Sequence, residues 1–186
     1  MLLDALKDFS WYNEPEDVRF NDSGMAVTAL AHTDFWQSAA HKFHRDNAHF
    51  FFTPCPGDFK MQVQWRFEDL SPGDQAGIML RRDNLNWFKG AVVKEKNGRF
   101  AVASSLTRNG YSDWSSFELV QSPMNLSFSL HNRSGDCRCG FSFAGQEARL
   151  LRLFYLDGDL KAGAYLAGPE NSFSAVLSRL DFTPLK

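Results

Sequence analysis

Two tryptophans in the sequence stand beside carboxylates, a combination that suits a site for a sugar-like ligand. Asp34 lies two residues before Trp36, and Asp113 lies directly before Trp114. An indole can stack on the C–H face of a sugar ring while a carboxylate accepts hydrogen bonds from its hydroxyls. Each pair alone is a weak signal, because Asp34 could cap a turn and Asp113 could form an Asx turn.

The segment from residue 75 to residue 98, QAGIMLRRDNLNWFKGAVVKEKNG, predicts two β-strands and a turn by its alternation. One face is a plain core face, carried by Ala76, Ile78, Leu80, Phe88 and Val92. The other face mixes an indole with long polar and cationic side chains, namely Gln75, Met79, Arg81, Trp87 and Lys89. Such a face suits a polar, ring-shaped ligand. A solvated face on which the Arg81 and Lys89 stems cover Trp87 fits the same pattern.

The turn at Asn97-Gly98 decides which side chains of the next strand share the polar face. A two-residue turn would place Val93 opposite Val102 and would mix the two faces. A three-residue loop, with Gly98 in the left-handed region and a bulge, keeps the faces separate. We therefore predict the bulged form, which pairs Val92 with Val102, Phe88 with Leu106, Lys89 with Ser105, and Trp87 with Thr107.

Three histidines, His41, His44 and His49, lie close to Asp46 and raise the question of a metal site. The segment has no clear helical period that would bring them to one face, so we expect structural or surface histidines and no metal. Glycine and serine spacings match no P-loop, dinucleotide fingerprint or catalytic triad. The sequence therefore predicts neither a cofactor nor a set of catalytic residues.

Short strand-like runs alternate with turn signals along most of the 186-residue chain, as in FKMQVQWRF from residue 59 and FSAVLSRLDF from residue 173. The chain contains 18 Phe, and its aromatic content is 15%. Strands at this spacing predict an all-β fold of two stacked antiparallel sheets. We expect one domain over residues 1–186, and only residues 1–9 suggest a short helix.

A formal charge of -2 gives no electrostatic case for a nucleic acid or a membrane surface as partner. The amino-terminal residues lack the basic region and apolar run of a signal peptide, and no segment is long and apolar enough to span a bilayer. The three cysteines, two of which (Cys137 and Cys139) would share one strand face, suit reduced thiols. We therefore expect a cytoplasmic protein.

Seven segments occur in an order that resembles a concanavalin A-like domain family of unknown function, one member of which is named as a regulator of enolase. The segments are WYNEP (11–15), TDFW (33–36), RDNAHF (45–50), DQAGIMLRRD (74–83), NWFKG (86–90), SDWS (112–115) and FSAVLSRLDF (173–182). The resemblance covers about residues 10–182. It implies a jelly-roll sandwich of two curved sheets with the ligand on a concave face. Arg81, Trp87 and Lys89 would lie on that face, and the implied rim consists of Asp34, Trp36, His49, Asp113 and Trp114.

One departure from the family bears on activity. After its Trp the family usually shows an acid within a Lys-x-Gly-Ile-Glu-like run, whereas this chain has KGAVVKE, with Val93 at the acid position. Glycosidases need two carboxyls roughly 5 to 9.5 Å apart.

The sequence favours, first, a non-catalytic domain that binds a carbohydrate or a sugar phosphate. A protein-interaction module that regulates a metabolic enzyme comes second. A glycan hydrolase or lyase, using Asp34 with Asp113, or His49 with Lys89, comes third.

Overall fold

The computed structural model describes residues 6–37, 43–120, 124–143 and 146–185, and the regular structure within these ranges is β-strand. The strands are β1 (Ser10–Tyr12), β2 (Val18–Asn21), β3 (Gly24–Ala29), β4 (Phe35–Trp36), β5 (Arg45–Asp46), β6 (His49–Cys55), β7 (Phe59–Arg66), β8 (Gln75–Arg81), β9 (Trp87–Lys94), β10 (Phe100–Arg108), β11 (Tyr111–Ser112), β12 (Ser115–Glu118), β13 (Asn125–Arg133), β14 (Asp136–Phe143), β15 (Arg149–Tyr155), β16 (Leu160–Ala167) and β17 (Phe173–Pro184). Of the segment expected to be helical, residues 6–8 form a turn, and residues 1–5 lie outside the described ranges.

Two large antiparallel sheets stack on each other in a concanavalin A-like jelly-roll sandwich, which confirms the predicted fold class. Sheet A has the order β1-β6-β16-β8-β9-β10-β11, and β12 also pairs with β10. Sheet B has the order β15-β14-β13-β7-β17-β3-β2. The short strands β4 and β5 pair only with each other. Consecutive strands pair in both sheets, as in β8-β9-β10 and β13-β14-β15, and pairs of strands from distant parts of the chain, such as β6 with β16 and β7 with β17, join these units.

The core lies between the sheets and takes alternate residues from each strand. On β8 and β9 it takes the apolar face predicted from the sequence, namely Ala76, Ile78, Leu80, Phe88 and Val92. The indole of Trp65 crosses from sheet B and donates a hydrogen bond to the carbonyl of Gly77 at 2.8 Å. A Cβ atom at Gly77 would lie 1.9 Å from the Gly90 carbonyl oxygen, so the close approach of β8 and β9 requires glycine there. Cys137 and Cys139 share this core side, as predicted, and both are free thiols.

The hairpin between β9 and β10 adopts the predicted bulged form. Gly98 has a φ of 82°, and the Glu95 amide donates to the Arg99 carbonyl at 2.7 Å, which encloses a three-residue loop. The predicted register is confirmed in all four pairs: Val92 with Val102, Phe88 with Leu106, Lys89 with Ser105, and Trp87 with Thr107. This register determines which side chains gather on the outer face of sheet A.

In the described residues no helix is long and apolar enough to cross a membrane.

Candidate functional site

The outer face of sheet A, which points away from the core, is covered by part of the chain. The cover segment, residues 33–37 and 43–48, contains β4 and β5 and lies across this face. Phe35 of the cover segment is fully buried, with its ring centroid 6.3 Å from that of Trp87 and 6.4 Å from that of Tyr165. These residues belong to a second apolar cluster, which contains Phe35, Ala48, Phe50, Met79, Trp87, Ala91, Tyr165 and Ala167.

Lys89 stands at the centre of the polar part of this face and is only 1% exposed. Its Nζ donates to Asp34 Oδ1 at 2.8 Å and to Gln75 Oε1 at 3.0 Å. The Tyr165 hydroxyl donates to the same Gln75 oxygen at 3.1 Å, and burial raises the pKa of Tyr165 well above its ordinary value. Three aromatic rings lie 5.8 Å from Lys89 Nζ, those of Trp87, Trp114 and Tyr165. The ammonium is therefore enclosed by rings and balanced by one carboxylate.

Asp34 is positioned by its own segment as well as by the lysine. Its Oδ1 accepts from the Phe35 amide at 2.8 Å, and its amide donates to Asn47 Oδ1 at 3.0 Å. The Asp34 side chain is 15% exposed, so this carboxylate lies at the edge of the cluster whereas Lys89 lies inside it. The ion pair thus joins β9 to the cover segment.

Arg81 makes a second connection to the cover segment. Its guanidinium binds Asp46 with two hydrogen bonds, of 2.6 Å and 2.9 Å. The guanidinium carbon lies 4.5 Å from the ring centroid of Tyr12 and 5.4 Å from that of Phe35. The Tyr12 hydroxyl also donates to Asp46 at 2.8 Å, and burial together with this carboxylate raises the pKa of Tyr12. Bidentate contact with stacking is the arrangement that the planar arginine head favours.

Trp36 and Trp114 form an aromatic corner beside Lys89. Their ring centroids are 6.0 Å apart with an interplanar angle of 64°, and Trp114 is 41% exposed. Backbone contacts hold the two loops together: the Gln37 amide donates to Ser112 Oγ at 3.0 Å, and the Ser112 amide donates to the Gln37 carbonyl at 3.1 Å. The corner therefore presents indole surface to solvent next to a buried cation.

Trp87 lies beneath this corner and departs from the expectation that it offers its ring to a ligand. It is 0% exposed because Phe35 and the lysine cluster cover it. Its Nε1 and the Oγ of Ser105 are buried polar atoms without a hydrogen-bond partner. The sequence pattern predicts an open face, and nothing local in the strand reveals that a distant segment of the chain covers it.

Asp113 and His49 are each hydrogen-bonded to groups other than the lysine cluster. The Asp113 carboxylate accepts from Arg152 Nη1 at 2.9 Å and from the Leu106 amide at 2.8 Å. Burial works to raise the pKa of Asp113, but these hydrogen bonds and the Arg152 charge outweigh it and bring the pKa below its ordinary value. Burial lowers the pKa of His49, whose ring lies between the Asn13 carbonyl at 2.6 Å and the Leu30 amide at 3.0 Å.

The histidines that raised the question of a metal do not form a site in the part of the chain that the structure describes. His44 Nδ1 is hydrogen-bonded to Gln37 Oε1. Asp46 binds Arg81, and His41 lies outside the described residues. Within the described ranges no group of three or more His, Cys, Asp or Glu side chains is placed to hold a metal ion.

Comparison with protein families identifies the relatives of this sandwich. The model of the family described as "Protein of unknown function (DUF1349)" matches residues 11–185. The chain belongs to the DUF1349 family. "Regulation of enolase protein 1" of Saccharomyces cerevisiae is 36% identical over 111 residues, which are 59% of this chain and 54% of the yeast protein. The match to this curated relative thus spans about half of the yeast protein's length.

Solved structures share the architecture of this DUF1349 chain. A functionally unknown protein from Saccharomyces cerevisiae superposes with a TM-score of 0.89 at 27% identity, over 97% of this chain and 98% of that one. A Bacteroides ovatus protein described as Xyloglucan PUL GH43B gives a TM-score of 0.75 at 14% identity, over 96% of this chain and 37% of that one. The alginate lyase from Klebsiella pneumoniae gives 0.58 at 12% identity, over 94% and 86%. The last two similarities show the fold alone.

Several residues of the candidate site are not predicted from the sequence. The rings of Tyr12 and Phe35 pack on Arg81, and the ring of Tyr165 packs on Lys89. Asp46, considered only as a metal ligand, binds Arg81. Tyr165 lies on β16, which pairs with β8 although the two strands are far apart in the sequence. A period of two over LKAGAYLA would have placed Tyr165 on one face of a strand, but not beside Gln75.

Proposed function

We infer that the outer face of sheet A binds a polyhydroxylated, ring-shaped ligand, a carbohydrate or a sugar phosphate, without transforming it. The observation that carries this proposal is the aromatic corner of Trp36 and Trp114 directly beside Lys89. Trp114 is 41% exposed, and the Lys89 ammonium lies 5.8 Å from its ring. Indole stacked on sugar C–H groups, with fixed polar groups at its edge, is a general means of sugar recognition.

Unused hydrogen-bond donors beside the corner support a ligand rich in oxygen. Lys89 Nζ carries three donor hydrogens, and two are engaged by Asp34 and Gln75. The Nε1 of Trp87 and the Oγ of Ser105 have no partner. Hydroxyl or phosphate oxygens would satisfy such donors, and a phosphate would also complement the lysine charge. All three donors are buried, so a ligand would reach them only if the cover segment moves.

The environment of the carboxylates favours binding over hydrolysis. A glycosidase needs one carboxyl that carries a proton and a second that acts as base or nucleophile. Here each candidate carboxylate already accepts hydrogen bonds from its own cation: Asp34 from Lys89, Asp46 from Arg81, and Asp113 from Arg152. Asp34 and Asp113 thus bind separate partners, and neither is presented as a free acid opposite the other.

Intrinsic tryptophan fluorescence, with thermal shift as a second readout, tests the proposal on a panel of mono- and oligosaccharides, uronic acids and sugar phosphates. Trp114→Ala removes the exposed ring of the corner. Trp11→Phe is the matched control, because Trp11 packs against Phe51, with ring centroids 4.8 Å apart, at the other side of the sheet. Ligand-dependent quenching should persist in Trp11→Phe and disappear in Trp114→Ala. Quenching that survives Trp114→Ala would refute this placement.

A protein-interaction module is the second candidate, favoured by the exposed edge strand β15. Leu150, Leu153 and Tyr155 on this strand are 46%, 63% and 50% exposed, and apolar edge strands are sites where proteins associate. The name of the yeast relative suggests a metabolic enzyme such as enolase as the partner. Sedimentation of the protein mixed with purified enolase from the same organism tests this. Association lost in Leu153→Glu and kept in Trp114→Ala supports the module, and separate sedimentation of the two proteins contradicts it.

The proposal treats residues 1–186 as one domain that acts in the cytoplasm. A single cooperative unfolding transition by calorimetry would support one domain, and two resolved transitions would contradict it. Cell fractionation with an antibody to the native protein tests the compartment.

A further inference from the structure

A groove on the outer face of sheet B, on the opposite side of the sandwich from Lys89, contains an arginine that has no acidic partner among the described residues. The groove has a volume of about 550 Å³. Its floor is one row of the sheet, formed by Ala26 of β3, Val176 of β17, Arg66 of β7 and Asn125 of β13. The groove lies where β7 ends and β13 begins, and Ala26 contributes a small side chain to its floor.

One wall of the groove is apolar near the arginine. Phe67 follows β7 and Met124 precedes β13, and the Phe67 amide donates to the Met124 carbonyl at 3.3 Å. Met124 is 63% exposed, whereas Phe67 is only 5% exposed and packs in the core. Arginine and methionine side chains are both enriched on surfaces that bind partners. The groove therefore combines a cation with an apolar wall.

The hydrogen-bonding capacity of Arg66 is almost unused. Its Nε is buried and has no partner, and its recorded hydrogen bond is a long one of 3.4 Å from Nη2 to the Ser23 carbonyl. Arg66 forms no ion pair with any carboxylate of the described residues, in contrast to Arg81 and Arg152, which each bind an aspartate. A guanidinium with five donors and a fixed fork matches a carboxylate in a bidentate geometry.

We propose that this groove is a second binding site, for a small monocarboxylate with an apolar body, in which the carboxylate binds the Nη atoms of Arg66 and the body packs on Met124. A ligand with one negative charge is favoured over a ligand with two, because the acids Glu68 and Asp69 lie at the rim. The Asp69 carboxylate is already bound by Lys94 at 3.3 Å, but the two acids would repel a dianion such as a phosphate monoester. The site shares no residue with the aromatic corner.

Benzoate and benzamide are matched probes, because they have nearly the same shape and differ in charge. Proton–nitrogen correlation spectra of the full chain, including the Arg66 Nε–H signal, would be recorded during titration with each compound. Benzoate should shift the Arg66 Nε–H and the amides of Ala26, Asn125 and Val176. Benzamide and phenyl phosphate should each bind at least about tenfold more weakly, since a charge-assisted hydrogen bond and charge repulsion separate the probes.

Two variants at one position complete the test. Arg66→Gln should weaken benzoate binding by at least about tenfold, and Arg66→Lys should give an intermediate loss, because lysine keeps the charge and lacks the fork. Arg179→Gln on the same outer face is the control and should bind benzoate like the wild type. Equal shifts with benzoate and benzamide, shifts outside the groove, an unchanged spectrum, or unaltered binding in Arg66→Gln would each overturn the proposal. Sugar binding at the aromatic corner is read separately, through Trp114→Ala.

Discussion

Substitution of the two partners of the Lys89–Asp34 ion pair, one at a time, should have unequal effects on stability. Lys89 is 1% exposed, whereas the Asp34 side chain is 15% exposed and lies at the edge of the cluster. Asp34→Asn leaves a cation buried without its counter-charge. Lys89→Met replaces the ammonium with an apolar group of similar length among three aromatic rings, and leaves an acid that still accepts from the Phe35 amide at 2.8 Å. The first change should therefore destabilise the fold more than the second.

The magnitude follows from what breaking a buried pair costs. Removing one partner of a buried ion pair usually costs about 3 to 5 kcal/mol, and partial exposure of Asp34 reduces this to about 2 to 4 kcal/mol for Asp34→Asn. Replacement of a buried pair by apolar groups is often neutral, so Lys89→Met should cost about 1 kcal/mol or less. The double variant should resemble Lys89→Met, which means that adding Lys89→Met to Asp34→Asn restores stability.

Urea unfolding of the four proteins, followed by far-ultraviolet circular dichroism at pH 7, measures these free energies by linear extrapolation. Equal slopes would show that the denatured states are comparable. Two results would refute the reasoning: a Lys89→Met variant that is as unstable as Asp34→Asn, or a double variant that is less stable than Asp34→Asn. Either result would mean that the Lys89 ammonium itself stabilises the cover segment, and that Asp34 does more than neutralise a buried charge.

Three further predictions concern other parts of the molecule. Burial raises the pKa of the Asp74 carboxyl from 3.8 to about 6, so this carboxyl binds its proton more tightly in the folded state than in the unfolded state. The protonated carboxyl therefore contributes stability that is full below pH 4 and is lost as the pH rises through 6. Asp74→Asn should therefore raise the free energy of unfolding by about 1 to 3 kcal/mol at pH 7, relative to wild type, and should not raise it at pH 4. Urea titrations at both pH values measure this, and a difference between variant and wild type that does not change with pH would contradict it. Gly77→Ala should lower the free energy of unfolding by at least about 3 kcal/mol, because the new Cβ would lie 1.9 Å from a carbonyl oxygen of β9. Gly57→Ala, which has open space around it, should lower it by only about 1 kcal/mol. Calorimetry measures both, and similar losses of stability would count against the close approach of the two strands. Arg81→Met should release the cover segment and speed tryptic cleavage after Arg45, and a cleavage rate equal to that of wild type would show that Arg81 does not hold the segment.

The fold and the register of one hairpin could be predicted because strands carry a period of two in the sequence itself. Alternation over β8 and β9 assigns ten side chains to two faces, and only the bulged loop at Gly98 keeps these faces separate on the next strand. In that loop a residue with positive φ is required, and Gly98 has a φ of 82°. Local chemistry therefore determines both which face enters the core between the sheets and how β9 and β10 are paired.

The candidate site could be predicted only in its residue types. Lys89 and Asp34 are 55 residues apart and Arg81 and Asp46 are 35 apart, so no local pattern links the members of either pair. The cover segment has no regular period because most of it is loop that runs across a sheet. Its presence converts the expected open face into a buried one, and for that reason the exposed indole is that of Trp114 rather than that of Trp87.

The two aspartates of the cover segment behave like a bivalent ligand that is permanently tethered to its receptor. When one carboxylate leaves its cation, the other keeps it nearby, so the free end encounters its partner again at a high effective concentration. Dissolved anions compete poorly with such an intramolecular acid, and moderate salt should leave the segment closed. Hydrogen exchange at the amides of Asn47 and Ala48, which both donate to the Asp34 carbonyl, would report this avidity as protection that ionic strength hardly changes.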